Sequence, residues 1–462
     1  MMDSPQNLVQ LLEHSAESYG DRPFATADDG SAALSFRGLA EAAADVARGL
    51  WNECGVRPGD HVALLLPNCV SFLPAYFGIL RAGAVAVPIN ARLKPAEFEF
   101  ILGDCDAQVL FVHPRTWPAV KTALESLPDW KGRLVGVDFP PGADVPDGML
   151  SLSALCMVGG DTPAPSVAFC DDVAAIIYTS GTTGRPKGAM LTHGNVLFNI
   201  EATKAGHGLV GSDIHLLVVP LFHVTGLNTI MPTALEGGAQ LVVSAQVDPA
   251  QLISVIRKHG CTTFFGVPTT FYLLTNLKDV RREDLRTLRL IAYSGAPMAP
   301  LTIGKLREMF RGVELHNFFG LTETTSVSTV LPDDQAIERC ESVGLPPPGV
   351  ELAIWGESGD FLPAGEVGEL VIRGLSVFKG YYKRPEATTE ALKDGWFHTG
   401  DTATLDEEGY LFLRGRKKEL IIVAGENVYP IEVENALCSH PAVQEAAVFG
   451  KPDRFLGESV QA

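Results

Sequence analysis

Residues 174–188 read Ala-Ala-Ile-Ile-Tyr-Thr-Ser-Gly-Thr-Thr-Gly-Arg-Pro-Lys-Gly. An apolar run leads into Thr179, Ser180, Gly181, Thr182, Thr183 and Gly184, and Lys187 follows. Glycines let a backbone fold tightly enough to aim several N–H groups at one anion. Hydroxyls add donors to phosphate oxygens, and one of them, such as Thr179, can also face a metal ion. Lys187 supplies positive charge. A polyphosphate is the expected ligand. The pattern is not a Walker loop, because Arg185-Pro186 follows Gly184 where that loop needs Lys and then Ser or Thr. A bare Gly-Thr-Thr-Gly serves equally well as a surface loop. The whole string after a buried strand is far more specific.

Five further clusters could join such a site. His223 lies in Pro220–Gly226, although a lone His beside Phe222 is more often a half-buried histidine than a catalyst. Ser294-Gly295-Ala296-Pro297-Met298 ends an apolar strand, where α/β sheets bind ligands. Asn317–Thr324 sets Phe319, Gly320, Thr322 and Glu323 close together. Alone, Glu323 could be an ordinary helix-start carboxylate. Asp401 closes Gly395–Asp401, and Arg416-Lys417-Lys418 puts three cations in a row. The plain alternatives there are a turn aspartate and a solvated basic patch.

The elements that must position these residues alternate. Phe36–Leu50 and Ala96–Leu102 carry helical spacing, whereas His61–Leu66, Ala84–Pro88 and Gln108–Val112 read as strands. Later strands are expected at Val173–Tyr178, His215–Val219, Gln240–Val243, Thr263–Gly266, Leu290–Tyr293 and Glu314–Phe318. Several are continuous apolar runs, as in sheets covered on both faces. Alternation of this kind predicts an α/β fold with a largely parallel sheet. Residues 139–165 read as a loose surface connection. From Val350 short strands at Glu351–Trp355, Glu369–Arg373 and Leu411–Leu413 are separated by Gly-rich turns, which predicts a β-rich unit near 345–400. The expected organisation is a large domain, 1–400, of two α/β subdomains plus this unit. A partial, small α+β domain, 401–462, follows and is expected to be cut short.

Composition narrows the partners. The chain has 462 residues, 46% hydrophobic and 20% charged, which fits a globular protein of more than one unit. A formal charge of −19 argues against nucleic acid and anionic membranes. An anionic nucleotide must therefore be held by local amides and a few cations. The eight cysteines are scattered, without a CxxC pair, which fits reduced thiols in a cytoplasmic enzyme. No signal peptide or membrane span is read: Met1–Glu17 lacks an apolar stretch, and Pro74 and Arg81 interrupt Phe72–Ile89. A homo-oligomer is left open.

Tyr178–His193, Tyr-Thr-Ser-Gly-Thr-Thr-Gly-Arg-Pro-Lys-Gly-Ala-Met-Leu-Thr-His, resembles the phosphate-loop signature of the adenylate-forming acyl-CoA synthetases, a family that includes luciferase-like enzymes and peptide-synthetase adenylation domains. The resemblance covers nearly the whole chain, with the motifs in order. It implies ATP, Mg²⁺ and coenzyme A as cofactor and co-substrates and a small carboxylic acid as substrate. It implies that His223 positions the acid's carboxylate, which is already ionised at neutral pH and needs no base. Ser294, Gly295 and Ala296 would lie against adenine, and Phe319 would stack on it where relatives usually carry Tyr. Thr322 would reach the α-phosphate and Glu323 would hold Mg²⁺. Asp401 and Arg416 would take the ribose hydroxyls. Lys418 matches the hinge of the small domain, and Gly425 matches a position passed by the pantetheine arm of CoA.

The implied reaction forms acyl-AMP and pyrophosphate and then exchanges AMP for CoA, with the small domain rotating between steps. The resemblance also implies a catalytic lysine late in the small domain. None occurs in such a loop after Gly425, and Lys451 in Gly450–Asp453 resembles an earlier segment. Weak adenylation is expected of a chain of this extent, with thioester formation less affected. Candidate acyl-pocket residues are Val224, Thr225, Gly320 and Val327, all small or apolar. They point to a fatty or other hydrophobic acid. Two alternatives are an adenylating enzyme that loads a carrier protein and a nucleotide- or acyl-binding protein with weak turnover.

Overall fold

The computed structural model describes residues 5–161, 168–179, 185–246, 248–277, 280, 285–295, 298, 300–416, 419, 421–423, 426–438, 440, 443, 446–453 and 457–462. Two eight-stranded sheets dominate it. In the first, Val173–Thr179, Val85–Pro88, His61–Leu65, Ala107–Val112, Arg133–Gly136 and Leu150–Ser151 run parallel in that order. Lys187–Thr192 returns antiparallel beside Val173–Thr179, and Gly380–Tyr381 closes that edge. In the second sheet the parallel order is Glu314–Phe319, Leu290–Tyr293, Thr263–Gly266, Ile214–Leu217, Gln240–Val243 and Pro23–Ala27. The expected α/β fold with mainly parallel sheets is what forms.

The two sheets share one core. A single apolar cluster joins Val62 and Leu64 of the first sheet to Leu217 and Val243 of the second through helices Phe36–Asn52, Phe72–Arg81 and Met231–Gly237. The helix Phe72–Arg81 is buried at every position from Phe72 to Leu80, because it lies inside this layer. It crosses Phe36–Asn52 closely: a side-chain carbon on Gly78 would sit 2.5 Å from Val46 Cγ1. The long apolar stretch that begins at Phe72 is thus a buried helix and strand. Among the described residues no helix is long and apolar enough to cross a membrane.

Sequence pattern misses some elements. Residues 139–165 are not only a connection, for Leu150–Ser151 is an edge strand and Leu152–Cys156 a short helix. Ser151 caps that helix by accepting from the Ala154 N–H at 3.1 Å, and Leu155 is fully buried against Phe36–Asn52 at Gly49. Five helical residues are too few to show a period. The strand expected at His215–Val219 spans Ile214–Leu217.

The β-rich unit is an antiparallel sheet of Val350–Trp355, Gly368–Gly374, Trp396–Leu405 and Leu392–Lys393, with Leu411–Arg416 on Trp396–Leu405. Its ten-residue strand passes straight through Gly400-Asp401, and pairing extends to Arg416. The strand therefore gives no break at the expected boundary. Beyond it, 421–423, 426–428, 449–453 and 457–461 form a small sheet.

Gly78→Ala is expected to destabilise the fold by about 1–3 kcal/mol through overpacking against Val46. The double variant Gly78→Ala/Val46→Ala should lose less than the sum of the single losses. Denaturant unfolding of the three variants checks this.

Candidate active site

Parallel strands end together, and their loops converge. Register sets Gly266 beside Tyr293 and Tyr293 beside Asn317. The residues that follow, Val267, Ser294-Gly295 and Phe318–Gly320, therefore meet at one end of the second sheet. All of them but Phe319 line a cavity of about 1030 Å³ with Thr179 and Lys187 of the first sheet. Val219, Pro220, His223, Thr322, Glu323, Tyr381, Gly400 and Arg416 share it. A second cavity of about 1050 Å³ shares Ser294, Gly295, Gly320 and Arg416 with the first and adds Phe319, Asp401 and Glu419.

The phosphate-loop candidate connects two antiparallel strands, whereas a Walker loop joins strand to helix. Thr179 and Lys187 face each other across the ladder, and the Thr179 hydroxyl donates to the Lys187 carbonyl at 3.5 Å. Ser180, Gly181, Thr182, Thr183 and Gly184 lie outside the described residues, as do Ala296, Lys418 and Gly425. Gly188 matters for packing, since a side-chain carbon there would meet Ile176 at 2.6 Å.

Glu323 sits in a one-turn helix, Thr322–Thr324, after the strand Glu314–Phe319. The chain then reverses through Thr325 at φ 62° and Ser326 at φ 120°, both costly for residues with side chains. The Thr325 hydroxyl anchors the turn by donating to the Ser376 carbonyl at 2.7 Å. A side-chain carbon on Gly320 would lie 1.1 Å from the Ser326 carbonyl oxygen, so only glycine fits. One Glu323 carboxylate oxygen accepts from the Tyr381 hydroxyl at 2.8 Å, and the Glu323 carbonyl accepts from the Phe378 N–H at 2.8 Å. Burial, with the Glu323 charge added, raises the Tyr381 pKa, so the phenol stays a donor. Lys187 Nζ stands 4.8 Å from the centre of the same ring.

On the opposite wall Arg416 reaches Asp401 at 3.0 Å across paired strands. Asp401 is only 6% exposed, and burial pushes its carboxyl up to about 6 against the pull of Arg416. The charges of Glu323, Glu419 and Glu369 add to the rise. Glu369 accepts from the Gly400 N–H at 3.1 Å and lies 3.5 Å from His398. His223 turns its ring into the cavity. It is exposed to that space yet enclosed by dense protein, so desolvation lowers its pKa and it is neutral at pH 7.

The geometry brings together Thr179, Lys187, His223, Ser294, Gly295, Gly320, Thr322, Glu323 and Arg416, with Phe319 and Asp401 on the adjoining cavity. Of the four acyl-pocket candidates, Val224, Thr225 and Gly320 line the cavity. Val327 does not; it is fully buried in the shared core, because the reversal at Ser326 turns it inward. Sequence reading missed Tyr381 and Glu369. Tyr381 stands 58 residues from Glu323, and its two-residue strand has no periodicity to read. Glu369 stands 31 residues from Gly400.

Mg²⁺ fits this donor set. Glu323 offers a carboxylate and Thr179 a hydroxyl at one cavity, and Mg²⁺ usually takes one or two carboxylates with substrate phosphates and waters. Comparison with known proteins agrees with the geometry. The family model described as AMP-binding enzyme matches residues 12–382, and that of the AMP-binding enzyme C-terminal domain matches 432–462. A feruloyl-CoA synthase of Amycolatopsis sp is 40% identical over 94% of this chain and 84% of its own length. A long-chain-fatty-acid–CoA ligase of Salmonella typhimurium is 35% identical over 99% of this chain and 85% of its own. The crystal structure of the anthranilate CoA ligase AuaEII in complex with anthranoyl-AMP superposes with a TM-score of 0.90 at 29% identity, covering 99% of this chain and 87% of that one. AMP-forming CoA ligases use ATP, Mg²⁺ and CoA. The chain belongs to the AMP-binding enzyme family, as an adenylate-forming acyl-CoA synthetase.

Proposed function

We propose that this cavity activates a hydrophobic monocarboxylic acid, a fatty acid or an aromatic acid of the ferulate type, and passes the acyl group to CoA. The observation that carries the reading is the convergence of Lys187, Glu323 and Arg416 on one cavity whose acyl side is apolar. Beside His223 the walls are Val219, Pro220, Val224, Thr225, Gly266 and Val267, with no charged side chain among them. The named substrates of the two relatives, feruloyl and long-chain fatty acid, support the same class.

In this reading Lys187 and the loop amides bind the outer phosphates, and Thr322 binds the α-phosphate. Phe319, Ser294 and Gly295 hold adenine, while Asp401 and Arg416 take the ribose hydroxyls. Mg²⁺, held by Glu323 with Thr179 nearby, would neutralise charge on the leaving pyrophosphate. Neutral His223 holds the acid's carboxylate by hydrogen bonding. One carboxylate oxygen attacks the α-phosphorus, and the bond to the β-phosphate oxygen breaks as pyrophosphate leaves. The CoA sulfur then attacks the acyl carbon and AMP departs, the thiol proton going to solvent. Positioning and charge neutralisation do most of this work. We further propose a large unit followed by a smaller mobile one. The boundary expected at 400/401 then moves toward Arg416, where the pairing of that sheet ends. The scattered cysteines support a cytoplasmic setting.

Incubation of the dialysed chain with ATP, Mg²⁺, CoA and an acid panel tests the reading. Ferulate and fatty acids should give thioesters and a dicarboxylic acid should not. Acyl-AMP alone would favour carrier loading, and binding without products would leave a binding protein. Gly320→Ala should cut pyrophosphate release at least 100-fold, because the carbon collides with backbone (on the order of 3 kcal/mol of transition-state stabilisation). Asp401 should lose its acceptor role as pH falls through about 6. ATP affinity should then weaken by up to about tenfold per pH unit, an effect absent with 2′,3′-dideoxy-ATP.

A further inference from the structure

Tyr381 joins two groups of the proposed site that lie on different sheets' ends. Its hydroxyl donates to Glu323 at 2.8 Å, and its ring face carries Lys187 at 4.8 Å. Among the described residues no other side chain hydrogen-bonds the Glu323 carboxylate. Tyr381 is itself held firmly. It is 9% exposed, pairs with Ala189 in the strand that begins at Lys187, and donates its N–H to the Thr388 hydroxyl at 2.9 Å. Phe378 packs edge-on against it at 4.8 Å and donates its own N–H to the Glu323 carbonyl.

We propose that Tyr381 is a positioning residue for adenylation, which fixes one Glu323 carboxylate oxygen and leaves the other for Mg²⁺. The ring meanwhile sets Lys187 at a constant distance from that metal position. A carboxylate free to rotate would spend its time in many rotamers, and ordering it would weaken metal binding. A lysine without a surface to lie on loses orientation in the same way. The inference rests on the proposed metal role of Glu323.

The test uses Mn²⁺ as a spectroscopic probe with α,β-methylene-ATP, alongside the Mg²⁺ dependence of pyrophosphate release. Tyr381→Phe keeps the ring and removes the hydroxyl. It should weaken Mn²⁺ binding and raise the half-saturating Mg²⁺ by about 10-fold, as expected for a hydrogen bond to a charged group, with the KM for ATP at saturating Mg²⁺ little changed. Tyr381→Leu should add a several-fold rise in that KM. In a Glu323→Gln background Tyr381→Phe should have no further effect on the metal. Tyr382→Phe, whose hydroxyl donates to Asp106 at 2.8 Å, is the control and should shift neither. An unchanged metal dependence in Tyr381→Phe, or an equal shift in Tyr382→Phe, overturns the positioning role. If Glu323→Gln itself binds Mn²⁺ normally, the metal reading of Glu323 fails first, and this inference fails with it.

Discussion

Between Phe319 and Ser328 the chain reverses so tightly that the Ser326 carbonyl fills the space where a side chain on Gly320 would begin. The Ser328 N–H closes the loop on the Phe319 carbonyl at 2.8 Å. Inside this reversal Thr322 and Glu323 are carried over the strand ends and toward the first sheet. Two residues with side chains accept positive φ to make the turn. That strain persists because surrounding bonds over-determine it, among them the one from Thr325 to Ser376. Relaxing the turn would withdraw Glu323 from Tyr381 and leave Lys187 facing a cavity without its opposing carboxylate.

The charge pattern follows from the same packing. The protein is strongly acidic, yet its site must accept an anion. The cations placed there are Lys187, over an aromatic face, and Arg416, on Asp401. Burial, with the nearby carboxylates added, raises the Asp401 pKa, so this acid stays close to titration while His223 stays neutral. Both effects arise mainly from burial, which penalises whichever form is charged.

Much of the site was legible as residue types. Gly and Thr around 179–184 suggest an anion cradle by local spacing, whereas the metal and ribose roles proposed for Glu323 and Asp401 come only from the family resemblance of their motifs. Strands were legible too, since buried parallel strands are continuous apolar runs. The short helix Leu152–Cys156 was not, for its one strong signal, Leu155, gains meaning only against Gly49. Val327 was misread for a related reason: its side chain points where the Ser326 reversal sends it.

What the residues determined by themselves is the local chemistry and the alternation that yields an α/β fold, both properties of near neighbours in the chain. Tertiary structure alone decided which of these groups meet. Tyr381 reaches Glu323 only because a two-residue strand adds to the edge of the first sheet, next to the strand of Lys187. Asp401 meets Arg416 only because their strands pair across a turn. Such contacts depend on sheet register and loop return, which no local pattern encodes.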